Sequence, residues 1–509
     1  MLVPMHQEVL RVCEAVRAAG GRAMLVGGWV RDRLLGQESK DYDVEVYGIE
    51  PQALRALLKK FGRVNTVGEH FAVYKLVFYL STGDAPAEIA NRQSPIADAT
   101  TLNVERLEID VSIPRRESKS GRGHRGFAIE GDPQMTIEAA ARRRDFTINA
   151  ILYDPLADEF IDPYGGIDDL QQKRLRAVAA ETFIEDSLRV LRAVQFAARF
   201  EMAVDDETAA LCRTIDLADL PHERIWGEVE KLLLMAARPA VGLDAALQLG
   251  VLDKLFPELR ALVGCRPHES IEAGTAGGQP EAAQASQQLE DAFTHTKRAI
   301  NAAARLASDL DRPRRITVML ATLCHALGKP CAANINANHS SSASETATAD
   351  QAASERTLGV LERLGLYTLG GYDVRGQVLA LLREQEKPRE FYTQRARTTD
   401  GDFRRLARRV EIDLLYRLAK ACALAGRTPS STDDQTVPHA DWFMARARAL
   451  GVERQPPAPL LLGRHLLEMG IAPGPQVGEL LRQIYDLQLD GQINTLDEAR
   501  AAARRRLRF

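Results

Sequence analysis

Two carboxylates one residue apart, in the run Asp41-Tyr42-Asp43, are the first residues here whose spacing suggests chemistry. The polar–apolar alternation from Asp41 to Tyr47 predicts a strand, in which residues i and i+2 share a face. Two carboxylates side by side repel unless a cation lies between them, and Mg2+ takes one or two carboxylates together with substrate phosphates. A third carboxylate, Asp110, falls in a strand predicted over 107–113. If the two strands are neighbours, three carboxylates can serve two metal ions, one at an attacking hydroxyl and one at the leaving phosphates. Just upstream, Gly27-Gly28 precedes a predicted helix, so backbone N–H groups and the helix dipole face a phosphate there. Alone, an Asp-x-Asp pair is a solvated strand edge and a Gly-Gly pair a turn. Together with Arg31, they predict a nucleoside triphosphate site.

These residues need a scaffold. Apolar strands over 23–26 and 72–79 and a helix over 52–60 join the strands above in an α/β region spanning residues 20–160. A helix is predicted over 146–153, and beyond 165 the pattern turns helical, with amphipathic runs over 185–199 and 224–237. Residues 264–289, rich in Gly, Ala, Gln and Ser, and residues 331–354, rich in Asn, Ser, Ala and Thr, read as mobile loops or linkers. A length of 509 residues implies several domains, and 45% apolar with 27% charged residues excludes a disordered chain. No stretch approaches the roughly 20 apolar residues of a membrane helix, and the first ten residues lack the pattern of a secretion signal. Six cysteines without CxxC spacing predict neither a disulfide framework nor a structural zinc site. The expectation is a reduced, cytoplasmic protein without a membrane partner. Net charge is −4, but the clusters 142–144, 404–405, 408–409 and 504–506 are dense in arginine. Each reads as a solvated face unless the fold gathers several on one side.

Further motifs follow in order. They are Arg143-Arg144-Asp145-Phe146-Thr147-Ile148-Asn149-Ala150, then Asp162-Pro163-Tyr164-Gly165-Gly166-Ile167-Asp168-Asp169-Leu170, then Glu185-Asp186-Ser187-Leu188-Arg189-Val190-Leu191-Arg192, and Glu223-Arg224-Ile225 with Glu228. Together with Gly27-Gly28-Trp29-Val30-Arg31-Asp32-Arg33-Leu34-Leu35-Gly36 and Asp41-Tyr42-Asp43, the series resembles the class II tRNA nucleotidyltransferases, the CCA-adding enzymes and their bacterial poly(A) polymerase relatives. The resemblance covers about residues 20–260. It implies an α/β nucleotidyltransferase head over 1–160 and an all-α remainder: a neck over 161–260, a body over 290–390 and a tail over 391–509.

The resemblance also implies roles. Asp41 and Asp43 would bind Mg2+, and Asp110 would help activate a 3′ hydroxyl. Gly27, Gly28, Arg31 and Arg144 would hold the triphosphate, with Asp145 at the ribose. Asp186 and Arg189, supported by Arg192, would read the base. The spacing of these last three residues by three puts neighbours on one helix face. A carboxylate accepts from an exocyclic amine while a guanidinium donates to a ring nitrogen, a pair that cytosine and adenine satisfy and that uracil and guanine reverse. The polar, glycine-rich stretch 114–126 resembles the family loop that switches the site from CTP to ATP, which favours addition of the terminal A.

His295-Thr296-Lys297 and Leu323-Cys324-His325-Ala326 resemble an HD domain in which Ala326 stands at the aspartate position. Alanine offers no ligand atom, so the metal centre reads as dismantled and His295 and His325 as packing residues; His339 lies in the low-complexity stretch. The implied activity is template-independent addition of C, C and A to tRNA from CTP and ATP, with release of pyrophosphate. Alternatives are A addition only, poly(A) synthesis, an HD phosphohydrolase, or a silent RNA-binding protein; oligomeric state is left open. Asp43→Ala is expected to abolish Mg2+-dependent nucleotide incorporation and to leave cooperative thermal unfolding intact. Full incorporation by that variant would remove the metal assignment.

Overall fold

A computed structural model describes residues 5–66, 73–81, 104–119, 127–266, 291–328, 343–427 and 436–507. The chain divides into two compact units, Met1–Leu220 with Gln248–Gly250, and Pro221–Leu247 with Val251–Phe509.

The first unit begins α1 (Gln7–Ala18), β1 (Arg22–Val26), α2 (Gly28–Leu34), β2 (Tyr42–Tyr47), α3 (Pro51–Leu58), β3 (Arg63–Thr66), β4 (Val73–Ser81) and β5 (Val104–Ser112). There follow the hairpin β6 (Arg115–Lys119) and β7 (Phe127–Gly131), then α4 (Ile137–Arg142), β8 (Leu152–Asp154) and β9 (Glu159–Ile161). Seven strands form one sheet in the order β3-β4-β5-β2-β1-β8-β9. The β2–β5 pair is parallel and the other neighbours are antiparallel. Each strand and helix expected between residues 23 and 113 has its counterpart here.

Alternation decides which face does what. Tyr42, Val44 and Val46 of β2, Tyr74, Leu76 and Phe78 of β4, and Leu107, Ile109 and Val111 of β5 share one core with Val9, Val12 and Val16 of α1 and Leu54 and Leu58 of α3. Asp43, Lys75 and Asp110 therefore belong to the opposite face. A slip of one residue in any strand would bring its charged residues into that core and expel its apolar ones, at about 1.5–3 kcal/mol for each large side chain. The hydrophobic face thus fixes the register that aligns the charged residues.

The helix expected over 146–153 does not form. A 3-10 turn, Thr147–Asn149, leads directly into β8. Phe146 to Tyr153 are buried throughout, so the stretch has no polar stripe to turn toward water. Local polar bonds decide its path instead. Thr147 Oγ1 donates to Asp169 Oδ2 at 2.6 Å, and Leu25 pairs with Tyr153 in the β1–β8 ladder.

The unit continues with α5 (Gly166–Gln171), α6 (Ala180–Phe183), α7 (Leu188–Phe200) and α8 (Asp206–Thr214). Asp169 in α5 has no solvent exposure, and it accepts from Arg174 Nε at 2.6 Å and Arg176 Nε at 2.9 Å. Two guanidiniums and a hydroxyl offset the cost of burying that charge. The chain reaches α5 through Gly165, whose φ of 72° suits glycine. At Gly166 there is no room: a Cβ would lie 2.7 Å from the Thr147 carbonyl carbon and 2.8 Å from Ile151 Cγ1.

In the second unit the elements among the described residues are helices, apart from a two-stranded ribbon, Thr368–Leu369 with Tyr372–Asp373. Helix Ala292–Leu306 packs along helix Ile412–Ala425. The stretch 331–354 departs from expectation where it is described: Ala343–Arg363 is one helix. Its alanines, with Glu345, Gln351 and Glu355, are strong helix formers that outweigh the serines and threonines. Residues 267–289 of the other expected loop, and residues 331–342, lie outside the described residues. Cys265 is disulfide-bonded, contrary to the expectation of a fully reduced chain, while Cys13, Cys212, Cys324 and Cys422 are free. Most of the arginine cluster at 404–409 is tied down rather than free. Arg404 donates to the Leu489 carbonyl at 2.9 Å, Arg405 pairs with Asp402 and Asp490, and Arg409 pairs with Glu384. Arg504 to Arg506 are exposed. Among the described residues no helix is long and apolar enough to cross a membrane.

Gly166→Ala is expected to lower stability by about 2–3 kcal/mol, since backbone rather than a flexible side chain must yield. Thermal or urea unfolding of the variant measures this, and an unchanged midpoint would contradict the packing described.

Candidate active site

The site face of the sheet carries a row of charges. Val26 is the register partner of Asp43, Asp43 of Asp110, and Asp110 of Lys75. Lys75 Nζ lies 3.3 Å from Asp110 Oδ1 and donates to Glu108 at 2.8 Å. Asp43 is open to water on one side and crowded by protein on the others. That crowding pushes its carboxyl up to about 6; Arg144 opposes the shift, while Asp110 and Asp41 reinforce it. Asp41 is exposed and immediately precedes β2.

The three carboxylates, expected to converge on two ions, do not form a closed cluster. Among the described residues no three acidic, histidine or cysteine side chains are grouped closely enough to hold a metal. The Lys75 ammonium provides a reason, because it draws Asp110 toward β4, on the side away from Asp43. Asp110 Oδ1 is shielded from solvent and has the Lys75 ammonium as its neighbour.

The glycine turn sits at the end of this row. Gly27 has a φ of 71° and precedes α2; a Cβ there would come within 3.4 Å of Arg144 Nη1 and 3.6 Å of Asp43 Oδ2. Glycine thus keeps open a cradle between a guanidinium and a carboxylate. Arg144 is held over it from two sides, by Glu45 Oε2 at 3.7 Å and the Asn149 carbonyl at 3.5 Å. Glu45, two residues after Asp43 on the same face of β2, also accepts from Tyr47 at 2.7 Å. The i, i+2 rule that paired Asp41 with Asp43 extends to Glu45, which sequence reasoning passed over.

Arg31, expected at the triphosphate, is turned inward and is 4% exposed. Its Nε and Nη2 donate to Asp32 Oδ1 at 2.9 and 2.6 Å, and Nη1 donates to Asn149 Oδ1 at 2.8 Å. Its guanidinium carbon lies 4.4 Å from the Phe200 ring centroid and 5.3 Å from that of Phe196, both on α7. Burial lowers its pKa, opposed by Asp32. Its bonds therefore serve to lock α2 against the Thr147–Asn149 turn and α7.

Asp145 is likewise buried. Oδ1 accepts from the Phe146 amide at 2.8 Å and from Asn149 Nδ2 at 2.9 Å; Oδ2 accepts from Arg192 Nε at 2.6 Å. Burial alone would raise its pKa, but Arg192 and these hydrogen bonds hold it below the usual carboxylate range.

Asp186 lies just ahead of α7, where it accepts from the Leu188 amide at 3.1 Å, so only Arg189 and Arg192 of the expected trio are on the helix. Asp186 here satisfies one of the free N–H groups of the first turn. Arg189 donates to the carbonyls of Thr182 at 2.7 Å and Arg143 at 2.6 Å. The hairpin β6–β7 brackets the expected switching loop, whose residues 120–126 lie outside the described residues. In the second unit the rings of His295 and His325 are 5.2 Å apart, His325 is 3% exposed, and Ala326 is buried. His339 lies outside the described residues.

A glycine turn before a helix, a carboxylate pair aligned across a mixed sheet and a buried Asp–Arg pair reaching the next helix are the makings of a nucleotidyltransferase head. Comparison with known proteins agrees. Residues 23–176 match the family described as Poly A polymerase head domain, and residues 201–262 match "Probable RNA and SrmB- binding site of polymerase A". The multifunctional CCA protein of Xylella fastidiosa strain 9a5c is 35% identical over 315 residues, covering 60% of this chain and 62% of that protein. That of Xanthomonas campestris pv. campestris strain B100 is 36% identical over 312 residues, covering 60% and 63%. The chain thus spans about three fifths of the length of these relatives. Among solved structures, a CCA-adding enzyme with CTP matches with a TM-score of 0.59 at 18% identity, over 99% of this chain and 97% of that one. The Bacillus stearothermophilus CCA-adding enzyme in complex with CTP gives 0.58 at 20% identity, over 99% and 98%. Residues 23–176 therefore carry a nucleotidyltransferase head of the poly(A) polymerase type, followed over 201–262 by the RNA-binding segment of such polymerases, and nucleotidyltransferases of this kind generally use a divalent metal.

Asp145→Ala would leave Arg192, the Asn149 amide and the Phe146 N–H without their shared acceptor. Arg192 regains some water because its side chain is 32% exposed, so a loss of about 2–3 kcal/mol is expected in urea unfolding. A variant as stable as the parent would contradict the network.

Proposed function

We propose that this protein adds C, C and A, without a nucleic-acid template, to the 3′ end of tRNA in the cytoplasm, consuming CTP and ATP and releasing pyrophosphate. The observation that carries the reading is the alignment of Asp43 with Asp110, one strand away from the open Gly27 turn. Asp41 and Asp43 would hold Mg2+. The Asp43 carboxylate beside the space left open at Gly27 offers hard oxygen next to a phosphate turn, which suits that ion. When bound, it would neutralise the phosphates and favour ionisation of the attacking hydroxyl.

The chain's own groups do the rest. Backbone N–H groups at Gly27 and Gly28 and the Arg144 guanidinium hold the triphosphate. Asp110 accepts the proton of the tRNA 3′ hydroxyl as that oxygen attacks the α-phosphorus in line with the departing pyrophosphate. Asp145 faces the ribose. Arg189 has five N–H donors and uses two on backbone carbonyls, which fixes its plane and leaves others for the acceptor edge of cytosine or adenine. Asp186 takes the exocyclic amine, and Arg192 steadies Asp145. Arg31 supports the turn from beneath.

The printed names of the relatives and neighbours, among them a Thermotoga maritima CCA-adding enzyme complexed with tRNA_CCA, point the same way. Both matched families are described by poly(A) polymerase, which keeps A-tailing as the second reading.

The test uses three tRNA transcripts, ending before CCA, after C and after CC, each with Mg2+ and with CTP, ATP or both. Growth of all three to one CCA end is expected. Extension of the CC-ended transcript alone by one A would make the protein A-adding, and long A tails would make it a poly(A) polymerase. No extension would overturn the proposal.

A further inference from the structure

One side chain at the centre of the head has no role so far. Asn149 is 5% exposed and ends the Thr147–Asn149 turn, whose other two residues are wholly buried. Its carbonyl oxygen Oδ1 accepts from Arg31 Nη1 at 2.8 Å; its amide Nδ2 donates to Asp145 Oδ1 at 2.9 Å; its backbone oxygen accepts from Arg144 Nη1 at 3.5 Å. Three charged residues of the site therefore meet on this one asparagine.

The amide's orientation follows from its partners. A guanidinium can only donate and an ionised carboxylate can only accept, so Oδ1 must face Arg31 and Nδ2 must face Asp145. No other side chain of this length offers both at once. Aspartate would keep the bond to Arg31 and lose the donor to Asp145; alanine would lose both. The chain of bonds runs Asp32, Arg31, Asn149, Asp145, Arg192, from the helix that follows the glycine turn to the helix that carries Arg189. A second contact parallels it: the Phe196 ring lies 5.3 Å from the Arg31 guanidinium and 5.0 Å from that of Arg192.

We propose that Asn149 is a positioning residue that sets the Asp145 carboxylate against the phosphate turn, and through it the preference for ribonucleotides over deoxyribonucleotides. The proposal rests on the assignment of a nucleotide to this site. With Oδ1 occupied by two N–H donors, the rotation of the carboxylate is fixed and the remaining lone pair of Oδ2 keeps one direction. A ribose hydroxyl donating to that oxygen is rewarded only while the direction holds. Without the amide, Asp145 keeps Arg192 and the Phe146 N–H and can swing between them. Discrimination at the 2′ position then falls, although the groups that hold the triphosphate remain.

The test is equilibrium binding of CTP and 2′-deoxyCTP, with Mg2+ and without tRNA, by titration calorimetry on the full chain. The parent protein is expected to favour CTP. Asn149→Ala should reduce the ratio of the two affinities by about tenfold, the value of one hydrogen bond to a charged group. Asn149→Asp preserves volume and the bond to Arg31 but sets a second carboxylate against Asp145; it should lose the same ratio, and thermal unfolding followed by circular dichroism identifies which variants are folded. Arg31→Gln should lose part of the ratio in the parent and nothing more in the Asn149→Ala background. A merely structural role for Asn149 would weaken both nucleotides alike; an unchanged ratio in folded Asn149→Ala and Asn149→Asp overturns the proposal. Binding of neither nucleotide by the parent would instead overturn the assignment of the site, and this proposal with it.

Discussion

Across the parallel ladder of β2 and β5, Asp43 and Asp110 stand opposite one another, and like charges at neighbouring register positions repel. The head is organised around that repulsion. The register cannot relax, because Val44, Ile109 and their neighbours on the other face are fully buried against α1 and α3. Nearby cations answer the charge from both sides, Lys75 at Asp110 and Arg144 near Asp43. Glycine at position 27 leaves the space beside Arg144 unfilled. A core of ordinary aliphatic residues thereby holds an electrostatic arrangement that the charges would not adopt by themselves.

A second layer of order lies behind the first. The buried Arg31, Asn149 and Asp145 and the half-buried Arg192 are joined by hydrogen bonds of 2.6 to 2.9 Å. Buried charges of this kind are costly singly and are tolerated because each is satisfied by the next. Asp169, with its two arginines and Thr147, anchors the other end of the same turn. The 147–149 turn is therefore clamped from two directions, which explains why it has no freedom to become a helix.

Much of this was legible in the sequence. Strand alternation at 41–47 and 107–113 located the carboxylates and the face they share, and the motif series carried the resemblance with which the matched head and RNA-binding segments agree. What stayed hidden was partnership. Alternation says which residues share a face but not that β5 lies beside β2, a relation between segments some 60 residues apart. The stretch from Phe146 to Tyr153 is buried on every side, so periodicity could not distinguish helix from turn and strand. Arg31 stood at the right distance from Gly28 to face a phosphate, yet only the positions of Asn149 and Phe200 reveal that it points inward. Asn149 itself, an unremarkable residue within a longer motif, acquires its meaning from three distant partners.

Trp29 follows Gly28 directly and is buried between Tyr42 and Tyr153, with ring centroids 5.6 and 5.9 Å away and the Arg33 guanidinium 5.2 Å from its own. The other two tryptophans, Trp226 and Trp442, fall in the second unit. The indole beside the glycine turn is therefore an optical probe built into the head. Its emission can be isolated by replacing two residues far along the chain, and it makes any rearrangement of the turn visible without a label.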